Sequence, residues 1–539
     1  MMRSIFRAAF LVLALSPAVL ANEGKPDLEQ AIDKKLSAES LDQLGEVINL
    51  AQRALDKGLD EENTLFAKQL LASTLSQRGL MMVEAIFAPD RPDGRWQQMR
   101  RLAIADLERS LRAEPKQPKA LVAMAKLNAL PGGEPKRALE LLDEAIPQAK
   151  EDVETKFEAL MMRAGLRESP ADRLGDINEA VELKPDDPQP LRARGALYLA
   201  TGKADKALAD FDAALKLDPK HALTHEARGA ALALLERLDD SRASYAKALE
   251  LDPQAESARL QRAQVSLIEE KYEDAVKDTT HLLNADKAHV AARMIRAQAY
   301  LRNKQFDLAL GDANELIQAH PKAPQALRLR AQVHVASNHV DQAIADLREI
   351  ARIDPDDLDT MLQIAILYRS QKNYSKALAL FGEILEKEPN AWFVRYARAD
   401  AYLSLGQHPE AKADYEQALK KSKDDHGLLN NFAWLLATSP VDEVRDGERA
   451  VELAKEACEL TDYKAAHILS TLAAAYAESG DFENAQKWSA KGLECCESNQ
   501  KENLLKELAS YKQRKAWREL LQEGREVTVK PGTPTIKKR

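Results

Sequence analysis

Residues 188–219 read PQPLRARGALYLATGKADKALADFDAALKLDP, and residues 222–253 read ALTHEARGAALALLERLDDSRASYAKALELDP. The second stretch is the first moved on by 34 residues. The pattern continues without slip through seven segments, from Pro188 to Lys423. One column holds Arg194, Arg228, Arg262, Arg296, Arg330, Ile364 and Arg398, and the next holds Gly195, Gly229, Ala263, Ala297, Ala331, Ala365 and Ala399. A third holds Ala207, Ser241, Ala275, Ala309, Ala343, Ala377 and Ala411. Each segment ends at Pro219, Pro253, Lys287, Pro321, Pro355, Pro389 or Lys423. A fixed period of this length marks a stacked repeat architecture.

One unit shows why. Leu191, Gly195 and Tyr198 share a face of a first helix, and Gly202 ends it in a tight turn. Ala207, Phe211, Ala214 and Leu215 form the apolar face of a second helix, which Pro219 stops. The small residues let the two helices approach closely, and Phe211 fills the remaining space. A lone pair of helices cannot bury its outer faces, whereas stacked pairs can.

The array sits within a longer helical chain of 539 residues, 30% charged, 5% aromatic and with 21 Gly, a mix that suits helices rather than sheets. The expected organisation is a signal peptide at 1–21, an N-terminal helical region at 22–95 and irregular repeats at 96–187. The regular array at 188–424 follows, then divergent repeats at 425–499, a capping helix at 500–525 and a disordered basic tail at 526–539. Arg3 and Arg7 precede the apolar run Ala8 to Leu15, and Val19 and Ala21 stand at the −3 and −1 positions of a cleavage site. Export to the periplasm or medium after cleavage near Ala21 is therefore expected. No later run approaches the ~18 apolar residues of a membrane span, so stable membrane insertion is not expected. A net charge of −9 argues against general attraction to nucleic acid.

The repeat resembles the tetratricopeptide repeat family in its 34-residue length, its small–x2–Tyr on the first helix, its Ala–x3–aromatic on the second and its closing Pro. The resemblance covers roughly 100–499. The segments LDEENTLFAKQLLASTLSQRG (59–79) and NNFAWLLATSP (430–440) also look like those of large exported bacterial proteins of this kind. It implies an all-α, right-handed superhelical solenoid of antiparallel helix pairs, with a concave groove lined by the first helices.

Charges recur across each pair. Arg194/Asp210, Arg262/Asp278, Arg296/Asp312, Arg330/Asp346 and Arg398/Asp414 are 16 residues apart, Arg228 faces Ser244, and the sixth unit has Ile364 with Leu380. Sixteen residues across a helical hairpin return to about the same height, so bridges within each repeat are expected. The rival is Asp pairing with the next repeat, as Asp176 with Arg194 or Asp210 with Arg228. The joint replacement by Ile364 and Leu380 favours the first, since losing one partner of a buried pair costs more than replacing both.

No phosphate loop, dinucleotide fingerprint, nucleophile elbow or His-Glu-x2-His motif is present, so neither an enzyme nor a cofactor is expected. Cys458, Cys495 and Cys496 match no zinc spacing. Cys458 could bridge to Cys495 or Cys496 in an oxidising compartment, and buried free thiols are the plainer reading. His334 stands in the column of Tyr198, Tyr300, Tyr368 and Tyr402 and reads as packing.

The candidate surface is the groove. By the family's geometry, Leu260, Met294, Arg328, Leu362 and Tyr396 face it from the fifth repeat position, and Gln264, Gln298 and Gln332 from the ninth. Evenly spaced amides beside apolar side chains could hold the backbone of an extended protein or peptide partner. The plainer reading is a solvated groove without a dedicated ligand. The expected function is an exported scaffold for protein–protein interaction. The alternative is a structural or assembly protein of the cell envelope that uses its convex face or its ends.

Overall fold

The computed structural model describes residues 22–89, 94–497 and 500–519. The expected signal peptide at 1–21 and the expected tail at 526–539 lie outside the described residues. Among the described residues there are 27 α-helices, one short 3-10 turn at Asp442–Val444 and no strand. The chain divides into two units, Met1–Glu269 and Glu270–Arg539. The first holds the helices from Lys25–Leu36 to Glu256–Ile268, and the second those from Tyr272–Ala285 to Lys501–Lys512.

Helix starts follow local chemistry. Ser40 and Gln43 form a reciprocal capping box at Leu41–Lys57, and Asp60 accepts the Asn63 N–H (2.9 Å) at the long helix Glu61–Phe87. Proline opens Pro118–Ala129, Pro135–Gln148, Pro170–Leu183, Pro188–Ala200 and Pro324–Ala336, where its missing N–H is no loss.

The turns between paired helices share a device that the letters hide. A left-handed residue recurs every 34 positions, at Gly202, Glu236, Glu270, Lys304, Asn338, Lys372 and Gly406. The following N–H closes on the carbonyl five residues back, as from Lys203 to Tyr198 (2.8 Å), Gln305 to Tyr300 (2.8 Å) and Gln407 to Tyr402 (2.9 Å). Only two of the seven are glycine, so the other five carry a side chain in a conformation strained by its Cβ. Lys304→Gly is therefore expected to raise stability by about 0.5–1 kcal/mol, net of glycine's greater unfolded-state freedom. A urea midpoint that moves down instead would refute this.

Small and aromatic residues interlock as the columns require. A Cβ on Gly195 would stand 2.7 Å from the Phe211 ring, and one on Gly229 would stand 2.9 Å from the Tyr245 ring. Phe211, Tyr245, Phe381 and Tyr415 are all buried.

The charged columns pair within the repeat. Arg194 grips Asp210 with two bonds (2.7 and 2.8 Å), Arg296 grips Asp312 (2.6 and 2.8 Å), Arg330 grips Asp346 (2.6 and 2.9 Å) and Arg398 grips Asp414 (2.6 and 2.8 Å). Arg228 donates to Ser244 Oγ (2.6 Å). The rival partners do not form: Asp176 goes to Arg163 (2.6 Å) and Arg228 to Asp212. Three of these guanidinium groups also reach back one repeat, Arg194 to Asn178 (3.0 Å), Arg296 to Thr280 (3.3 Å) and Arg330 to Asn314 (2.8 Å). Hydrogen bonding to the carboxylates holds Arg194, Arg296, Arg330 and Arg398 above the ordinary guanidinium value. Ile364 and Leu380 instead join one apolar cluster with Phe381 and Ile384.

The capping helix expected at 500–525 stops early, at Lys512. Arg514 turns left-handed (φ 56°), and the Lys515 N–H closes on the Ser510 carbonyl (3.0 Å). The chain then crosses back to Ala437 and Thr438.

Candidate partner-binding surfaces

The first helices place the expected groove residues in two groups. Leu260 and Gln264 lie on Glu256–Ile268 in the first unit, both half-buried. The other six lie in the second unit. Met294 packs against Ala297, Leu316 and Leu329, and Leu362 packs against the cluster of Ile364 and Phe381. Gln298 is half-buried and Gln332 is exposed. Arg328 is taken up by an ion pair with Asp357 (3.0 Å).

Tyr396 belongs to a polar cluster around Asp400. The Tyr415 hydroxyl donates to Asp400 Oδ1 (2.6 Å), and Arg369 Nη1 donates to its Oδ2 (3.0 Å). Asn431 Nδ2 spans Asp400 Oδ1 (3.3 Å) and the Tyr396 hydroxyl (3.1 Å). Burial pushes the Tyr396 phenol up to about 12 and also raises that of Tyr415, so both stay neutral. Beside this cluster lies a cavity of about 360 Å³, lined by Arg369, Tyr374, Asp400, Leu403, Ser404, Asn431 and Trp434. Trp434 and Asp400 are 34 residues apart, so their shared face was visible in the repeat pattern. The link from Arg369 through Asp400 to Asn431 was not.

The first unit holds a cavity of about 850 Å³ in the irregular repeats. Leu80, Val83, Val122, Phe157, Met161 and Met162 supply its apolar lining. Its three lysines are each paired with an acidic side chain, while Glu84 and Asp187 make no ion pair among the described residues. Lys126 meets Glu158, Lys184 meets Glu154 (2.6 Å) and Lys119 meets Asp152 (3.3 Å). Lys184 also stands 4.4 Å from the Phe157 ring centroid. This surface escaped the sequence reading because its residues, on Glu61–Phe87, Pro118–Ala129 and Val153–Leu166, lie before the strict array from which the groove positions were assigned.

Cys458 is buried and free, and burial pushes its thiol up to about 12. Cys495 is exposed and Cys496 half-buried, both free. Among the described residues no cluster of three or more His, Cys, Asp or Glu is placed to hold a metal ion, and no helix is long and apolar enough to cross a membrane.

Sequence models described as tetratricopeptide repeat match residues 192–256, 260–324, 296–357, 334–401 and 368–431. The regular array is a run of tetratricopeptide repeats. Its turns, its small–aromatic interlock and its paired helices are those of that family's repeat.

Solved structures similar to the chain include a tetratricopeptide repeat protein from Parabacteroides merdae (17% identity, 54% of this chain, 98% of that one, TM-score 0.35). Yeast Tom70 is 15% identical over 82% of this chain and 96% of its own (TM-score 0.35). YrrB, described as a tetratricopeptide protein with an unusual peptide-binding site, is 18% identical over 34% of this chain and 95% of its own (TM-score 0.31). No curated protein matches the chain.

Proposed function

We propose that this chain is an exported, non-catalytic scaffold that holds a segment of a partner protein on the inner faces of its tetratricopeptide and related repeats. The observation that carries the reading is the 850 Å³ cavity of the first unit. Its apolar lining is large enough for several side chains of a bound segment, and its three lysines are already taken up by acidic neighbours. The occupant is therefore an apolar-faced segment held chiefly by burial. Leu260 and Gln264 in the first unit, and separately Met294, Gln298, Arg328, Gln332, Leu362 and Tyr396 in the second, are further candidate contacts for such a segment. Export rests on the N-terminal Arg3–Ala21 pattern.

The test is affinity capture from the exported fraction with residues 22–539 as bait. Met161→Glu/Met162→Glu puts two charges on the apolar lining and is expected to cut retention of the partner by about tenfold or more. Met161→Leu/Met162→Leu should retain it. Circular dichroism checks that the helices persist. Loss confined to Leu260→Glu/Met294→Glu/Gln298→Ala would move the site to the regular array. Equal capture by all variants would refute inner-face binding and leave assembly through the convex face or the ends.

A further inference from the structure

The helix His426–Thr438 ends unlike the first helices before it. At the 34-residue turn column its residue is Pro440, where Gly406 and Lys372 are left-handed. Proline is locked near φ −65°, so this helix cannot close by the usual turn. Its last four carbonyls need other donors. The Ser439 N–H meets the Leu435 carbonyl (3.1 Å), and the Asp446 N–H meets that of Leu436 (3.0 Å). The other two are met from far downstream. Arg518 Nη1 points to the Ala437 carbonyl (3.5 Å), 81 residues away in sequence, and the Glu519 N–H donates to Thr438 (2.9 Å).

The same crossing segment makes further contacts. Arg518 pairs with Glu478 (2.6 Å), which also pairs with Arg445 (2.9 Å). Ala516 and Trp517 pack on the apolar cluster that contains Leu435 and Leu436. The indole of Trp434 lies beside the Glu519 carboxyl and packs on the same apolar cluster as Trp517. Trp434 is one of the side chains lining the 360 Å³ cavity beside Asp400. The segment therefore runs beside the wall of that cavity.

Its hold is incomplete. Glu519 Oε2 is buried without a hydrogen-bond partner, as is the hydroxyl of Tyr511 in the helix that precedes the segment. Burial pushes the Glu519 carboxyl up from its ordinary value. Release into water would satisfy both oxygens of Glu519 and remove the penalty of burying its charge.

We propose that residues 513–519 are a displaceable strap, a ligand carried in cis on the carbonyl end of His426–Thr438 and on Trp434. The surface beneath it is a docking site for an aromatic–basic–acidic segment, Trp517-Arg518-Glu519 in the closed state. The proposal concerns the second unit alone and does not depend on where the partner of the preceding section binds.

The test uses the full chain and a labelled synthetic peptide with the sequence of residues 510–522, followed by fluorescence anisotropy. In the native chain the tethered strap outcompetes the free peptide, because its effective concentration is high. Arg518→Ala/Glu519→Ala weakens the strap and is expected to tighten peptide binding by about tenfold. Adding Trp434→Ala, which removes an aromatic ring from the apolar surface on which Trp517 packs, should weaken it again. Hydrogen exchange supplies a second readout that does not need the double variant to fold. Residues 513–519 of the native chain should exchange faster than Lys501–Lys512, and Glu519→Gln, which removes the buried charge, should slow them. Equal or absent peptide binding in the native and double-variant chains, or a strap as protected as the helix before it and unchanged by Glu519→Gln, would overturn the proposal and make the segment a fixed part of the fold.

Discussion

Asp210→Leu alone lowers stability by about 3 kcal/mol, while Arg194→Ile/Asp210→Leu together cost less than about 1 kcal/mol. The expectation follows from the geometry. Asp210 is 7% exposed and receives both arms of the Arg194 fork, at 2.7 and 2.8 Å. Removing the carboxylate leaves a guanidinium mostly out of water, with only Asn178 (3.0 Å) to bond. An uncompensated charge in that position costs far more than the net worth of the pair, because the pair has already spent much of its attraction on desolvation. Replacing both partners removes the charge and adds apolar contact. The sixth repeat already carries that solution in Ile364 and Leu380, which pack in one cluster with Phe381. A double-mutant cycle on urea midpoints measures the coupling. If the double variant is as damaged as Asp210→Leu, the pair is a net stabiliser and Ile364/Leu380 needs another explanation.

Phe211→Ala is expected to cost about 4 kcal/mol. Phe211 is 1% exposed and its ring fills the space left by Gly195, 2.7 Å from where a Cβ would stand. Truncation opens a cavity between two helices whose backbones are held apart by the rest of the repeat, so the gap cannot collapse fully. The converse change tests the same fit. Gly195→Ala presses a methyl on the ring and costs about 1–3 kcal/mol, part of which Phe211→Leu should return by yielding space. Urea unfolding of Phe211→Ala, Gly195→Ala and Gly195→Ala/Phe211→Leu gives the comparison. A Phe211→Ala loss under about 1 kcal/mol would show that the helix pair closes up and that the small–aromatic interlock is not what spaces it.

The architecture of the array could be read from the letters because its decisive contacts are short in sequence. Gly195 meets Phe211 and Arg194 meets Asp210 at a separation of 16 residues, inside one helix pair, and the pattern repeats every 34. In a stacked array each unit touches mainly its neighbours, so period and column composition nearly determine the local packing. The left-handed turn was legible only at its glycines. Glu236, Lys304, Asn338 and Lys372 adopt the same turn because the helices on either side force it, against their own preference.

The candidate sites were less legible. Leu260, Met294 and the glutamine ladder were chosen by repeat position, which indicates a face and not what stands beside it. Arg328 shows the gap: its fork is taken by Asp357, 29 residues on. The Asp400 cluster needs Arg369 and Asn431 from the helix pairs on either side as well as Tyr415 of its own pair, and the 850 Å³ cavity draws on Glu61–Phe87, Pro118–Ala129 and Val153–Leu166, before the strict array begins. The early end of the helix at Lys512 and the return of Arg518 to Ala437 across 81 residues had no local signal. Sequence alone determined the helix pairs, their spacing and their paired charges, since these arise from contacts within a repeat. Tertiary structure alone decided where cavities open and which carbonyls are left to be met from a distance, since both depend on how non-repeating side chains meet once the pairs are stacked.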